Sequence, residues 1–285
     1  MTFSGRQIAA VRSFLFVPLS NEKLIRKAGS SSADAIILDL EDGVSISEKT
    51  VARENLKKHA SLIEDAGKFV VVRINAESEM APLDVEALVH VRPDAVMVPK
   101  FESVEQIADT IGMLRSKGSG RQVGIIGLIE TPLGLCRLNT IAQAEGLIGI
   151  ALGSEDFAAC MGVPPTPLLL DMPCRQIAMT AAAFDLAGIC QPFSIARFED
   201  AEGSEEAARL ARAYGASGLL CIHPRQVEIA NTAFVPTREQ VEWARKIVSK
   251  WSDHPEGGIG IMKQDGAMVD VPVVKLARKI INRAR

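Results

Sequence analysis

Short apolar runs rich in β-branched residues recur along the chain, and glycine, proline or polar residues bound each of them. Runs of four to seven residues with no polar face are typical of strands buried on both sides of a parallel sheet. The eight runs are Phe14–Val17, Ala35–Leu38, Phe69–Val72, Ala95–Val98, Val123–Ile129, Leu147–Leu152, Ile189–Ile195 and Gly218–Ile222. Pro192 makes the seventh run the weakest strand candidate, because proline removes a hydrogen-bond donor.

Helical patterns separate these runs. Ser47–Leu62 begins with serine and carries apolar residues at Val51, Leu56 and Leu62, while Leu168–Ala187 is apolar on most of its circumference. Further helices are predicted at Ser103–Lys117 and Ser204–Tyr214. Eight strands alternating with helices predict an α/β fold, a (β/α)8 TIM barrel.

The chain continues beyond the eighth run. A helix is predicted over Thr237–Lys250, followed by a glycine-rich hinge at Gly257–Gly260, the segment Met268–Pro272 and a last helix over Val273–Ala284. We therefore expect a flexible N-terminus (1–11), a barrel (12–235) and a C-terminal helical and lid extension (236–285) that packs on a neighbouring subunit.

Composition narrows the function classes. The 285 residues carry a net charge of −3 without a basic block, and only one Tyr and two Trp, so nucleic acid is not expected as a partner. The five cysteines show no CxxC pair or Cys/His cluster, which argues against zinc and disulfide frameworks. No signal peptide or membrane span is predicted, and a cytoplasmic enzyme is the expectation.

The predicted strand ends carry an unusual number of charged and polar residues. Active sites of TIM barrels lie at the carboxyl ends of the strands, so this set marks a candidate site. An alternative is a set of salt bridges that fills the barrel mouth. The residues are Asp39, Glu41, Asp42, Arg73, Asn75, Lys100, Glu130, Glu155, Asp156 and His223.

Glu130 and Asp156 stand out because they follow the fifth and sixth runs. Two carboxylates on neighbouring strands can hold a divalent ion and leave positions open for substrate. On spacing alone, each acid is equally compatible with capping the helix that follows it.

Three basic residues have alternative roles. Arg73 suits capture of a substrate carboxylate, or it pairs with the nearby acids. Lys100 is compatible with a Schiff base, but the surrounding acids favour a protonated structural lysine. His223 is a candidate base, although a hydrogen-bonded structural role is favoured.

Seven segments together resemble the citrate lyase β-subunit family, within the wider HpcH/HpaI aldolase group. They occur in the family's order from Arg12 to the last helix. The segments are Arg12–Pro18, Asp39–Val44, Val72–Asn75, Val98–Lys100, Ile129–Gly134, Leu152–Phe157 and Cys221–Gln226.

The resemblance implies a TIM-barrel carbon–carbon lyase that acts on a β-hydroxyacyl thioester such as citramalyl-CoA or malyl-CoA. It places Mg²⁺, with Mn²⁺ as an alternative, on Glu130 and Asp156. Arg73, together with Glu130, would bind the keto acid, and Glu41 and Asp42 would orient metal-bound water.

The resemblance also implies a homotrimer or hexamer. In such an assembly, Asp270 in the C-terminal segment would reach the neighbouring active site and exchange a proton with the enolate carbon.

Four positions depart from the family pattern. Leu19 replaces a glycine, Pro173 an arginine and Leu219 a lysine, and an aspartate expected after the seventh run is absent at Phe193 and Ser194. These changes lie outside the predicted metal set and put the thioester side in doubt. A metal-dependent aldolase acting on a free 4-hydroxy-2-keto acid, a citryl-ACP lyase and a non-catalytic paralogue therefore remain alternatives.

Overall fold

The computed structural model describes residues 8–89, 91, 93–116, 123–252, 261–264 and 266–284. The chain divides into two compact units, Met1–Phe234 and Val235–Arg285. None of the described helices is long and apolar enough to cross a membrane.

Eight parallel strands form the centre of the first unit, in the spatial order β7-β6-β5-β4-β3-β2-β1-β8. Surrounding helices complete a TIM barrel, which confirms the predicted fold. The strands are β1 (Ser13–Pro18), β2 (Ala35–Asp39), β3 (Phe69–Arg73), β4 (Ala95–Val98), β5 (Gly124–Ile129), β6 (Leu147–Leu152), β7 (Ala187–Ile189) and β8 (Leu219–Cys221).

The helices of this unit alternate with the strands, as the sequence predicts. They are α1 (Glu22–Gly29), a 3-10 turn (Ile46–Glu48), α2 (Lys49–Asp65), α3 (Ala81–Leu88), α4 (Val104–Ser116), α5 (Pro132–Cys136), α6 (Leu138–Ile141), α7 (Ser154–Met161), α8 (Pro167–Ala183), α9 (Ala201–Tyr214) and α10 (Pro224–Ala233).

Each strand is buried on both faces, which explains the continuous apolar runs. In β2, Ile36 and Leu38 belong to the cluster shared with the helices, whereas Ala35 and Ile37 belong to a second cluster inside the barrel. Because side chains alternate along a strand, one run supplies both layers.

The seam between β7 and β8 closes the barrel through a single bridge, Ile189 to Gly218. Gly218 is required there, because a Cβ atom would lie 2.5 Å from the Val11 carbonyl oxygen. The prediction that the seventh strand extends to Ile195 is wrong. The strand ends at Ile189, and the segment containing Pro192 is a loop that lines the barrel mouth.

The described residues of the second unit form two helices and a hairpin. They are α11 (Arg238–Ser252), β9 (Ile261–Gln264), β10 (Ala267–Asp270) and α12 (Val271–Arg283). The strands are antiparallel, and the buried core includes Ile247, Val269 and Val274. Thr237 accepts a hydrogen bond from Gln240 N–H at 3.2 Å, as expected for a cap of α11. The predicted hinge at Gly257–Gly260 lies outside the described residues.

Candidate active site

Three acids meet at the carboxyl ends of β2 and β5. One carboxylate oxygen from each of Glu41, Asp42 and Glu130 lies within 4.8 Å of the others. Glu41 and Glu130 are buried, whereas the Asp42 side chain is 58% exposed. Within the described part of the chain, this is the acid cluster that can hold a metal ion. Glu130 thus lies at a predicted strand end, and it forms the cluster with Glu41 and Asp42.

Asp39 organises the turn that carries two of these acids. Its Oδ1 accepts the Glu41 N–H at 2.9 Å, and its Oδ2 accepts the Gly43 N–H at 3.0 Å. The turn wraps so closely that a Cβ at residue 43 would lie 2.5 Å from Asp39 Oδ2. Glycine at this position therefore lets the backbone fold over the carboxylate.

Arg73 lies at the centre of the acids. Its Nε and Nη2 donate two parallel hydrogen bonds of 2.7 Å to Asp39. Nη1 lies 2.9 Å from Glu41, 3.5 Å from Asp42 and 3.9 Å from Glu130. Burial alone lowers the pKa of Arg73, but the hydrogen bonds and charge of Asp39 raise it above its usual value. One edge of the guanidinium is therefore already occupied, and Nη1 is the nitrogen nearest the acid cluster.

Glu41 carries an unusual carboxylate. Neither oxygen has a hydrogen-bond partner, although Arg73 is in ion-pair distance. Burial raises the pKa of Glu41 to about 8, and the charge of Glu130 acts in the same direction, whereas Arg73 opposes it. Buried carboxylate oxygens without hydrogen bonds suit a hard divalent cation, which prefers oxygen ligands. The donor set therefore fits Mg²⁺ or Mn²⁺.

Glu130 follows β5 and is held on two sides. Its Oε2 accepts the Lys100 N–H at 2.8 Å, and its Cγ occupies the space beside Gly153. Burial raises the pKa of Glu130 to about 7, and the nearby charge of Asp156 adds to this effect. In the metal-free protein, protons therefore remain on these acids near neutral pH.

Asp156 lies in the first turn of α7 and lines the same cavity as Glu130. It is outside the three-acid cluster but close enough for its charge to act on Glu130. Its neighbour Glu155 instead accepts a hydrogen bond of 2.8 Å from Ser194, which ties α7 to the loop after β7. Of the two adjacent acids, Asp156 is the one without such a hydrogen bond to the loop after β7.

A buried polar network supports the Asp39–Asp42 turn from behind. The Lys49 ammonium donates 2.7 Å hydrogen bonds to the carbonyls of Leu40 and Glu41 and to Asn75 Oδ1. Asn75 in turn donates to Asp84 at 2.7 Å. The network fixes the backbone that presents Glu41.

The acids open into a cavity of about 710 Å³ whose lining is largely apolar. It extends from Glu130 past Pro18 to Leu24 and Lys27 on α1. Leu19 and Leu219, two of the departures from the family pattern, are buried in the core between strands and helices and do not line it.

A third departure, Pro173, also lies away from the cavity. Pro173 is buried inside α8, and exposed Arg175 pairs with Asp171 at 2.8 Å rather than lining the cavity. The inference that Leu19, Pro173 and Leu219 alter the thioester side finds no support in the shape of the cavity.

His223 lines the cavity edge but already has a structural role. Its Nδ1 accepts the Arg225 N–H at 3.2 Å and caps α10, and its ring stacks on Phe198 with centroids 4.9 Å apart. These contacts support the structural alternative for His223. Asp270 ends β10 in the second unit and caps α12 by accepting the Val273 N–H at 3.2 Å.

Comparisons with known proteins decide the family. The sequence profile described as HpcH/HpaI aldolase/citrate lyase matches residues 12–224. Citrate lyase subunit beta of Haemophilus influenzae is 34% identical over 285 residues, covering 96% of this chain and 97% of that protein. The chain belongs to this family.

Two further relatives are informative. The mitochondrial citramalyl-CoA lyase of Rattus norvegicus is 30% identical, covering 99% of this chain and 88% of that protein. The crystal structure of CitE from Mycobacterium tuberculosis in complex with magnesium, acetoacetate and coenzyme A is 30% identical with a TM-score of 0.77, covering 97% of this chain and 99% of that one. Together the relatives confirm the prediction that the chain is a lyase.

Sequence reasoning missed two residues that support the acids and the role of a third. Lys49 and Gly153 were not among the candidates, and Asp39 belonged to the strand-end set without an assigned role, yet each contacts or positions an acid of the cluster. Asp39 had a signal, because an acid that ends a buried strand two residues before another acid needs a cation partner. For Gly153, the only signal in the sequence was its place beside a strand end. No signal in the sequence marked Lys49.

Proposed function

We propose that the chain is a divalent-metal-dependent carbon–carbon lyase that cleaves a β-hydroxyacyl-CoA, such as citramalyl-CoA or malyl-CoA, into acetyl-CoA and a 2-keto acid. The observation that carries this proposal is the group of Glu41, Asp42 and Glu130 around Arg73, of which Asp42, Arg73 and Glu130 line a cavity of about 710 Å³.

The proposed metal ligands are Glu130 and Asp156, with Glu41 and Asp42 orienting water around the ion. Support comes from the buried oxygens of Glu41, which accept no hydrogen bond, and from the relative crystallised with magnesium. Bound Mg²⁺ or Mn²⁺ would act as a Lewis acid that eases loss of the hydroxyl proton and offsets charge on the carbonyl oxygen.

Arg73 is the proposed carboxylate anchor. Because Nε and Nη2 are held by Asp39, the guanidinium is fixed before substrate arrives, and Nη1 would contact the keto-acid carboxylate. Such a contact orients the bond to be cleaved relative to the acids. Glu130 would contact the same end of the substrate.

The size and the largely apolar lining of the cavity support a thioester substrate over a free keto acid. Pockets of about 300–1,000 Å³ bury drug-sized ligands, much larger than a five-carbon acid. Lys27 also lines the cavity and supplies a positive charge suited to the phosphates of CoA. The sequence argument for a free-acid aldolase rested partly on Leu19 and Leu219, which are buried in the core.

Asp270 is the proposed proton donor to the enolate carbon, supplied by a neighbouring subunit of a homotrimer or hexamer. This role rests on the resemblance of its segment to the family's lid. A cytoplasmic location likewise remains a proposal.

The test is a substrate panel with the purified protein. Citramalyl-CoA, malyl-CoA, citryl-ACP and a free 4-hydroxy-2-keto acid are each incubated with Mg²⁺ or with EDTA, and acetyl-thioester and keto acid are quantified by chromatography. We expect cleavage of at least one CoA thioester, loss of activity in EDTA and loss in Glu130→Gln.

Two results would overturn the proposal. Turnover of the free acid alone would replace it with a free-acid aldolase. Activity that resists EDTA, together with borohydride trapping of pyruvate on Lys100, would replace the metal with Schiff-base chemistry.

A further inference from the structure

The residue after β4 and Pro99 adopts a backbone conformation that side chains disfavour. Lys100 has a φ of 47°, and among the described non-glycine residues only Asp185 shares a positive φ. A left-handed residue other than glycine is strained and persists only where its surroundings enforce it. Such strain is concentrated at functional sites.

Phe101 enforces this conformation. Its ring is fully buried, and a Cβ at Gly127 would lie 2.2 Å from it. A Cβ at Gly134 would lie 2.5 Å from the Phe101 carbonyl oxygen, and the Phe101 N–H donates to Leu128 at 3.0 Å. With Phe101 fixed on β5 in this way, the chain must reverse at Lys100.

The side chain of Gln106, on α4, stabilises the turn at Lys100 through hydrogen bonds. Gln106 Nε2 donates to the Lys100 carbonyl at 3.0 Å, and Gln106 Oε1 accepts the N–H groups of Glu102 and Ser103. The strained residue is therefore held on both sides.

The strained conformation brings Lys100 to two acids from different strands. Its N–H donates to Glu130 Oε2 at 2.8 Å, and its Nζ lies 3.6 Å from Glu41 Oε1. Partial burial lowers the pKa of Lys100, but the charges of Glu41, Asp42 and others raise it overall, so the ammonium stays charged.

We propose that Lys100 is a positioning residue with two parts: its N–H orients Glu130, and its ammonium opposes a bare divalent cation while favouring an anionic substrate. The inference rests on the proposed metal site. The ammonium competes with a cation for Glu41 and repels it, whereas a keto-acid anion is attracted to the same charge.

The decisive variants change the ammonium and keep the backbone N–H. Lys100→Met keeps the backbone and removes the ammonium. Lys100→Gly also removes the ammonium but tolerates the positive φ, so it covers the case in which Lys100→Met folds poorly. Lys100→Arg restores the charge. Lys57→Met, at an exposed position on α2, makes the same change in net charge away from the acids.

The primary measurement is the affinity for Mn²⁺ alone, by calorimetry and by electron paramagnetic resonance. We expect Lys100→Met and Lys100→Gly to bind Mn²⁺ on the order of ten-fold more tightly than the wild type, because a like charge a few ångströms from the ion is removed. Pyruvate binding at saturating Mn²⁺ should weaken several-fold. Lys100→Arg and Lys57→Met should behave as the wild type.

A merely structural Lys100 would not produce opposite changes for cation and anion. Unchanged or weaker Mn²⁺ binding in Lys100→Met and Lys100→Gly overturns the inference, as does an equal change in Lys57→Met. A wild-type protein that binds no Mn²⁺ overturns the proposed function itself, which is a separate result.

Discussion

The side chain of Glu130 fills the space that a side chain at residue 153 would need. A Cβ on Gly153 would lie 2.6 Å from Glu130 Cγ and 3.0 Å from Oε1. In Gly153→Ala the carboxylate must move, and we expect affinity for Mn²⁺ to fall about 10–100-fold, as for other changes to the supports of metal ligands. Calorimetric titration with Mn²⁺ measures this.

Gly112 provides the matched control for that substitution. A Cβ there would meet nothing within 4 Å, and the residue lies inside α4. Gly112→Ala should leave Mn²⁺ affinity unchanged and stabilise the fold by about 0.5–1 kcal/mol, because alanine is the better helix former. Equal Mn²⁺ affinity in both alanine variants would contradict the role assigned to Gly153.

Asp39→Asn should weaken both stability and activity. It removes the charge that pairs with buried Arg73, and breaking a buried ion pair typically costs about 3–5 kcal/mol. The turn before Gly43 would also loosen. Urea unfolding gives the stability, and kcat/KM on the substrate identified by the panel gives the activity.

Asp34→Asn is the comparison for Asp39→Asn. Asp34 accepts two hydrogen bonds of 2.7 Å from Arg12 in the same arrangement, but at the opposite, amino-terminal end of the strands. Because this pair is partly exposed, we expect a loss of only about 1 kcal/mol and normal activity. Loss of activity in Asp34→Asn would show that a general loss of stability, and not the position of Arg73, explains the Asp39 result.

The metal-free protein should lose stability as pH rises from about 5 to 8. The pKa values of Glu41 and Glu130 are raised by burial from 4.5 to about 8 and about 7, so in this range the folded state binds protons that the unfolded state has released. Each such proton changes the stability by about 1.4 kcal/mol per pH unit. A change of 1 kcal/mol in stability shifts Tm by about 2–4 °C, so thermal melting in EDTA should show Tm falling as pH rises.

Glu41→Gln tests the origin of that slope. The amide cannot titrate, so the decrease in Tm with pH should become shallower, and saturating Mg²⁺ should flatten it in the wild type by favouring the ionised acids. A Tm that rises from pH 5 to 8 in EDTA, or an unchanged slope in Glu41→Gln, would contradict the assignment.

Lys49→Met should destabilise the fold by about 2–4 kcal/mol. The ammonium has three buried acceptors, and a buried acceptor left unpaired costs about 1–3 kcal/mol. Lys68→Met is matched to it, because Lys68 donates to one backbone carbonyl, that of Ser31, at 2.7 Å. Urea unfolding should show a loss of about 1 kcal/mol there, and equal losses would argue against the Lys49 network.

Asp270→Asn should retain the fold and lose activity if the carboxylate acts in catalysis. Asparagine caps helices as well as aspartate, so the α12 cap is kept. If Asp270 serves a neighbouring subunit, mixing inactive Asp270→Asn with inactive Glu130→Gln should restore part of the activity, since some sites then receive both intact residues. If the subunits are shown to exchange and activity still does not recover, Asp270 either acts in the site of its own subunit or has no role in catalysis.

The barrel could be predicted from the sequence because parallel strands buried on both faces leave uninterrupted apolar runs. For the helices, the apolar residues in the sequence do not show which face is buried. Val51 and Leu62 are two of the apolar residues that marked this helix in the sequence, yet they are 50% and 40% exposed, while His59 is buried. The helix start was also misplaced, because a 3-10 turn over Ile46–Glu48 precedes α2 and no side chain caps it.

The site could be predicted as a set of strand-end residues but not as a set of contacts. Asp39 and Arg73 both ended predicted strands, yet their pairing depends on the register of β2 and β3, in which the two residues are partners. From the sequence, Lys49 would be expected on the exposed surface of a helix. It is a buried hydrogen-bond donor only because α2 packs behind the Asp39–Asp42 turn. These contacts come from tertiary packing, which a single sequence does not encode locally.

The single bridge between Ile189 and Gly218 has a consequence for how the barrel opens. Each of the other neighbouring strand pairs is joined over three or more residue positions, so the β7–β8 seam has the fewest shared hydrogen bonds to break. Hydrogen–deuterium exchange should therefore label the amides of Cys190 and Ser217, which bond across the seam, before those in the middle of β2 and β5. The loop after β7 carries Ser194, the partner of Glu155, so the same opening would reach the rim of the cavity.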